Sequence, residues 1–323
     1  MAERELVEQL DQAIESLLAG TGAAVIGVGE VAALTETAAS LCDLPSEDFK
    51  KRLKTPLQRR AAMSTSTAGA AGVRARVRAI TPLIIHANAS KLVDFLKTTF
   101  HAEELKRMEK VYAFYSEVRI GDSVIMLGGG AVAEYGNLPS ALHVYVDDCD
   151  AAYRRALEAG AVTLMGATGE PADRPYGERS AFVQDAFGNY WYIATRLAST
   201  PPAEDLGTVL PYVHPARARA YMDFLKRAFG AQEMAVYEHG GRVMHAAMRV
   251  GDAVLELGEP EDRKGIPSNG FFFFVEDVEA AYERTLTAGA TTVRPPEDTS
   301  YGLRAAIVRD PEGYLWWPAR RIG

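Results

Sequence analysis

The chain has almost no cysteine. Cys42 and Cys149 are too few for a disulfide framework and lack the paired spacing of a zinc site, so they read as reduced thiols of a cytoplasmic protein. Positive charge is not in excess either. The 35 Lys and Arg residues stand against 43 Asp and Glu, a formal net charge of −8, and phosphate-backbone binding needs many Lys/Arg contacts. Nucleic acid is therefore not an expected partner. An apolar run of ~20 residues is also missing, as is a signal-peptide core after the charged start Met1-Ala2-Glu3-Arg4-Glu5. Neither secretion nor membrane insertion is expected.

What the sequence does contain is a duplication. Asp94-Phe95-Leu96-Lys97 recurs as Asp223-Phe224-Leu225-Lys226, Arg119-Ile120-Gly121-Asp122 as Arg249-Val250-Gly251-Asp252, and Leu157-Glu158-Ala159-Gly160-Ala161 as Leu286-Thr287-Ala288-Gly289-Ala290. The period is too long for a solenoid and marks two copies of a whole domain. At 323 residues, 48% of them apolar, the chain has room for two such cores and a further segment. The expected organisation is an N-terminal helical segment at 1–61, a flexible linker at 62–78, a first domain at 79–198, a linker at 199–207 and a second domain at 208–321.

In the N-terminal segment Leu6, Leu10, Ile14, Leu17 and Leu18 recur at helical spacing, and Ser46 ahead of Glu47 and Asp48 is an N-cap signal. These helices suggest oligomerisation, with a homodimer as one outcome, or regulation. Lys50, Lys51, Arg52, Lys54, Arg59, Arg60, Arg74, Arg76 and Arg78 form the one basic concentration, which reads as a solvated helix face and linker, the alternative being a dock for an acidic partner or for the acidic repeats of the same chain.

Each repeat divides into two halves of one pattern: a short strand, a helix of about three turns, then strands. In the first repeat the strands fall near Pro82–His86, Tyr112–Ile120, Ser123–Leu127, Leu142–Val146, Ala181–Gln184 and Tyr190–Thr195. Gly121-Asp122 makes a hairpin turn, and Gly160 suits the end of the second helix. The later repeat copies this with Phe271–Val275, a helix ending at Gly289 and a strand at Tyr314–Ala319. The fold class is α+β, built from four βαβββ modules.

The run His143–Tyr153, the segment Tyr176-Gly177-Glu178-Arg179-Ser180, the turn Asp185–Trp191 and the run Gly241–His245 together resemble the vicinal oxygen chelate superfamily. That superfamily includes glyoxalase I, bleomycin-resistance proteins and extradiol dioxygenases, and the chain is most like its PhnB-like branch over about residues 80–321. The resemblance implies paired modules whose mixed sheets curl into cups that hold a ligand or metal. It leaves open which modules pair.

Strand alternation indicates which side chains would face such cups. Leu142, Val144, Phe271, Phe273, Trp191 and Trp316 should pack under helices. His143, Tyr145, Phe272, Phe274, Tyr192, Trp317, Met126 and Glu256 should face inward, with His245 in a cavity or at its rim. Tyr176 and Tyr301, each followed by glycine, are candidates to close the cups. In metal-dependent relatives the ligand places correspond to Thr81 or Pro82, Met126, His143 and Tyr192 in one repeat, and Leu210 or Pro211, Glu256, Phe272 and Trp317 in the other. Neither set supplies the three ligands that a catalytic ion needs, so no metal and no cofactor are expected. If the second and third modules pair instead, His143 and Glu256 meet, with His214 or His245 as a third ligand. A first-strand register wrong by two residues would instead bring in His86 or His214.

The leading expectation is a metal-independent protein binding a small organic molecule, aromatic or cationic in character. His143, Tyr145, Tyr192, Met126, His245, Glu256, Phe272, Phe274 and Trp317 are its ligand-binding residues. One alternative is a lyase, isomerase or dioxygenase, with His143 and Glu256 as catalytic candidates around a divalent ion or with His143 as general base. Another is a regulator acting through the N-terminal helices. Whether catalysis occurs is not decided by the residues.

Overall fold

The structure, a computed structural model, describes residues 77–110, 113–130, 135–197, 206–262, 265–299 and 301–322. The N-terminal helices expected at 1–61, Cys42, the basic residues up to Arg76 and most of both linkers lie outside the described residues. All described residues belong to one compact unit, Val73–Gly323.

Four modules follow in order. The first is β1 (Ile80–Ile85), α1 (Ala89–Phe100), β2 (Glu103–Lys110), β3 (Ala113–Ile120) and β4 (Ser123–Gly130). The second is β5 (Ala141–Tyr145), α2 (Cys149–Glu158), β6 (Val162–Thr163), a 3-10 turn at Gly166–Gly169, β7 (Ala172–Arg174), β8 (Glu178–Gln184) and β9 (Tyr190–Arg196). The third is β10 (Val209–Val213), α3 (Ala218–Phe229), β11 (Gln232–His239), β12 (Arg242–Val250) and β13 (Ala253–Leu257). The fourth is β14 (Gly270–Phe274), α4 (Val278–Ala288), β15 (Thr291–Asp298), β16 (Leu303–Arg309) and β17 (Leu315–Arg321).

The sheets do not follow the repeats. One sheet runs β15-β16-β17-β14-β1-β4-β3-β2 and joins the first module to the fourth; the other runs β11-β12-β13-β10-β5-β9-β8-β6, with β7 on β8, and joins the second to the third. The seams are antiparallel, placing Thr81 opposite Phe272 in the first sheet and Leu210 opposite His143 in the second.

The helices do follow the repeats. Leu92, Val93, Leu96 and Phe100 of α1 share a buried core with Ala152 and Ala156 of α2, with Leu142, Val144 and Trp191, and with Ile125 and Leu127. Tyr221, Phe224 and Leu225 of α3 share another with Val278 and Ala281 of α4, with Phe271, Phe273 and Trp316, and with Leu255 and Leu257. Each repeat thus owns one helix-side core, and each inner sheet face, or cup, is shared between repeats.

Local chemistry explains the quoted turns. Asp185 accepts hydrogen bonds from the backbone N–H of Phe187 and Asn189 at 2.9 Å each and from Trp191 Nε1 at 2.8 Å. Asp310 does the same for Glu312, Tyr314 and Trp316. A buried carboxylate that closes a turn and anchors the core indole is structural. Burial pushes the Asp310 carboxyl up to about 6 against the bonds from Trp316 and Tyr221. The two Gly-Asp hairpin turns, with Gly121 at φ +57° and Gly251 at φ +58°, tie the repeats together reciprocally: Asp122 accepts from the N–H of Thr208, and Asp252 from the N–H of Ala79, each at 2.8 Å.

Arg78 corrects the expectation of a solvated basic linker. It is 6% exposed, and its guanidinium donates to Asp122 Oδ2 and to the Asp252 carbonyl, each at 2.6 Å. A guanidinium held through its two terminal nitrogens by both hairpin turns is a clamp between the repeats.

Candidate functional site

The two cups are built on the same register and differ in chemistry at their centres, although the first also buries Glu117, opposite Met126, with the Tyr115 hydroxyl at 2.8 Å. In the second sheet β10 pairs with β13 so that Tyr212 lies beside Glu256, and β5 pairs with β9 so that His143 lies beside Tyr192. In the first sheet the corresponding neighbours are Leu83 beside Met126, and Phe272 beside Trp317.

The first cup closes on itself. Leu83, Met126, Phe272 and Trp317 belong to one buried apolar cluster, none more than 6% exposed. Leu138 joins them, fastened to Ile85 by two backbone hydrogen bonds, and Tyr135 meets the Trp317 ring edge-on at 5.8 Å between centroids. Phe274 stacks on Phe272 at 5.5 Å.

The second cup is polar. His143 Nδ1 lies 2.7 Å from Glu256 Oε2, and His143 Nε2 lies 3.6 Å from Glu178 Oε2. The half-exposed His245 places Nε2 3.6 Å from Glu256 Oε1. Tyr145 OH donates to Glu178 Oε1 at 2.8 Å, and the Arg196 guanidinium stands 4.2 Å from the Tyr145 ring centroid. Tyr192 OH bonds His214 Nε2 at 2.8 Å, and the Tyr192 and Tyr212 rings meet at 4.9 Å.

Electrostatics favour the charged form of each partner in the central pair. Burial would push the Glu256 carboxyl up, but the charge and hydrogen bond of His143, helped by His245, hold it well below the ordinary carboxylate range. Burial would lower the imidazole of His143, yet Glu256 first and Glu178 after it raise it above the ordinary value. Burial keeps the phenols of Tyr145, Tyr192 and Tyr212 far above theirs, with Glu256 adding to the effect at Tyr145 and Tyr212.

The inward-facing residues read from strand alternation are thus divided between the cups. His143, Tyr145, Tyr192, His245 and Glu256 gather in the second; Met126, Phe272, Phe274 and Trp317 lie in the first, packed against one another. Tyr176 and Tyr301 are exposed, at 60% and 50%. His214 enters the second cup through Tyr192, while His86 packs on Phe187 instead.

Three lining residues escaped the sequence reading. Tyr212 was hidden because the first-strand register is displaced: the residues beside Glu256 and Met126 are Tyr212 and Leu83, not Leu210 or Pro211 and Thr81 or Pro82. Glu178 was hidden because β8 starts three residues earlier than the apolar run Ala181–Gln184 suggests. Arg196 is the last residue of β9 and the register partner of Glu178. Strand alternation outward from Trp191 is the signal that could have found it.

The donor set does not match the metal-dependent pattern. Of its four places in the second cup, Tyr192 and Tyr212 hold neutral phenols, and the two ligand types, His143 and Glu256, bond each other. Among the described residues no group of three or more His, Cys, Asp or Glu side chains is arranged to hold an ion.

A family model described as the Glyoxalase/Bleomycin resistance protein/Dioxygenase superfamily matches residues 215–317. An uncharacterized protein of Mycobacterium bovis is 32% identical over 119 residues, covering 33% of this chain and 78% of the relative. An uncharacterized protein of Mycobacterium tuberculosis is likewise 32% identical over 119 residues, covering 33% of this chain and 69% of the relative. Among solved structures, glyoxalase I from Zea mays aligns with a TM-score of 0.57 at 15% identity, over 74% of this chain and 90% of that one. A putative dioxygenase from Bacillus subtilis aligns with a TM-score of 0.50 at 15% identity, over 74% and 83%. At such identities these two likenesses speak to the fold alone. Taken with the module pattern and the paired sheets, the matches establish that this chain belongs to the glyoxalase/bleomycin resistance protein/dioxygenase superfamily.

Proposed function

We propose that the chain binds a small polar organic molecule in the cup of the second sheet, without a metal ion. Tyr145, Tyr192 and Tyr212 are its walls, and His143, Glu256 and Glu178 fix its orientation. The reading is carried by the contrast at equivalent positions, where one cup holds His143 and Glu256 and the other Phe272 and Met126. A buried ion pair is often no more stabilising than well-packed apolar side chains of similar volume. The first cup supplies such a replacement within the same fold, so the polar pair has its reason in recognition rather than stability. Tyrosine offers a flat apolar face with a polar tip, which suits a planar or amphipathic ligand. The carboxylates of Glu178 and Glu256 are balanced by His143 and Arg196, so the cup favours hydrogen-bonding groups over a bare cation.

The test is a thermal-shift screen with small ring-bearing hydroxy, carbonyl and amine compounds. It compares wild type with the double variant His143→Phe/Glu256→Met, which gives the second cup the chemistry of the first. Compounds that raise the wild-type melting temperature should leave the variant unmoved. Equal shifts in both place binding elsewhere, and one stoichiometric Zn, Ni, Mn or Fe per chain in protein purified without chelator replaces this reading with a metal-centred one.

A further inference from the structure

Resting on that reading, we infer that the ligand of the second cup is a planar organic acid whose carboxylate is received by Arg196 and His245 above Ala247. The first cup shows the arrangement with a side chain of its own. There Glu117 faces inward from β3, 9% exposed, and its Oε1 accepts the Tyr115 hydroxyl at 2.8 Å. Arg321, the last residue of β17, brings Nη2 to 3.7 Å from the same oxygen. Since β14, β1 and β4 separate β17 from β3 in that sheet, the contact reaches across the mouth of the cup.

The duplication carries each of these positions into the second cup, with one decisive exchange. Glu117 lies opposite Met126 and Ala247 opposite Glu256, so position 117 corresponds to 247, and Tyr115, two residues earlier, to His245. Arg196 corresponds to Arg321: each ends its strand, and each follows the core indole, Trp191 or Trp316, at the same spacing. The arginine is kept and its carboxylate is gone. Ala247 is half-buried on the inward side of β12, while Ala246 and Met248 on either side of it are buried in the helix-side core.

Nothing in the chain has taken the place of that carboxylate. The Arg196 guanidinium makes no hydrogen bond or ion pair among the described residues and lies over the Tyr145 ring, 4.2 Å from its centroid. Glu178, its register partner, accepts from the Tyr145 hydroxyl instead, and Glu256 has His143. A guanidinium lying over a ring keeps its edge N–H groups for a carboxylate in its own plane. His245 supplies a second donor where Tyr115 stands in the first cup. The Tyr212 ring is 6.2 Å from that of His245, so a flat body attached to the carboxylate meets the tyrosine wall.

Two measurements on the full chain test this. The first needs no ligand: Ala247→Glu returns to the second cup the carboxylate that the first owns. It should lower the melting temperature by about 5 °C less in wild type than in Arg196→Gln, because only wild type answers the new charge, whereas repulsion from Glu256 is common to both. The second titrates 4-hydroxybenzoate and naphthalene-2-carboxylate against their uncharged amides. The acids should bind wild type about tenfold more tightly than the amides and lose that preference in Arg196→Gln and in Ala247→Glu. Arg321→Gln, in the other cup, should keep it. Additive effects of the two substitutions, amides that bind as well as acids, or acids that bind Arg196→Gln unchanged overturn the inference while leaving the binding reading in place. Absence of binding by acids and amides alike also overturns it, and the wider compound screen then decides the binding reading.

Discussion

Two cups of equivalent construction, in one chain, have met opposite ends. The first has turned the centre of its inner face into core: Met126, Phe272 and Trp317 bury one another, Leu138 comes down as a stopper, and the buried carboxylate beside them, Glu117, takes the Tyr115 hydroxyl. The second holds an imidazole between two carboxylates and lines the rest with phenols. Since the register is shared, the difference lies in side chains alone. The fold specifies a cup, and what the cup does is written in four or five inward positions.

The sharpest way to break the comparison is to move charge into the closed cup. Met126→Glu places a carboxylate where Met126 is 1% exposed, with no imidazole beside it. It should cost more than about 3 kcal/mol at neutral pH by urea unfolding, because a fully buried acid shifts by ~3–5 pK units and must take up a proton at pH ~7 to stay folded. Adding Phe272→His should recover part of that loss. A cost below about 1 kcal/mol for the single variant would mean that the first cup admits water and is not core.

The next largest effect separates the partners in the open cup. His143→Phe leaves Glu256 buried without its counter-charge and should cost about 3 kcal/mol. The double variant His143→Phe/Glu256→Met should be as stable as wild type or more so. If the double loses as much as the single, the pair is a stability element and the functional contrast between the cups fails.

The smallest effect is a pH dependence present in one cup only. Glu256 is depressed, so its stabilising contribution is whole above the ordinary value of 4.5 and is lost as pH falls toward its folded value. His143 is raised, so its contribution is whole below the ordinary 6.5 and is lost as pH rises through its folded value. The difference in stability between wild type and the double variant should therefore favour wild type most between 4.5 and 6.5. Asp310, raised to about 6 by burial, loses its contribution as pH rises through that value, but it is present in both proteins and cancels. A flat difference curve would show that the pair carries no charge.

Much of this was legible in the chain. The apolar alternation Leu142/Val144, Phe271/Phe273 and Trp191/Trp316 assigned the helix side of four strands, and by elimination the inward side that holds His143 and Tyr192. Period-2 alternation is local and survives in sequence. What it cannot encode is which strands are neighbours across a seam. The contact of His143 with Glu256 spans 113 positions and depends on β10 choosing β5. Glu178 and Arg196 were lost at strand ends, where polar residues blur the pattern, and Tyr212 to a displaced first strand. Arg78 looked like one more linker cation because its partners, the two Gly-Asp turns, lie 44 and 174 residues away.

The crosswise seams carry one more consequence. A first half severed from the second would keep its helix-side core but bare the edges of β1 and β5; the second half would bare β14 and β10. Such edges are templates waiting for a strand. Made separately, the two halves should seek each other out and knit back together, since the molecule is in effect a heterodimer whose subunits travel on a single thread.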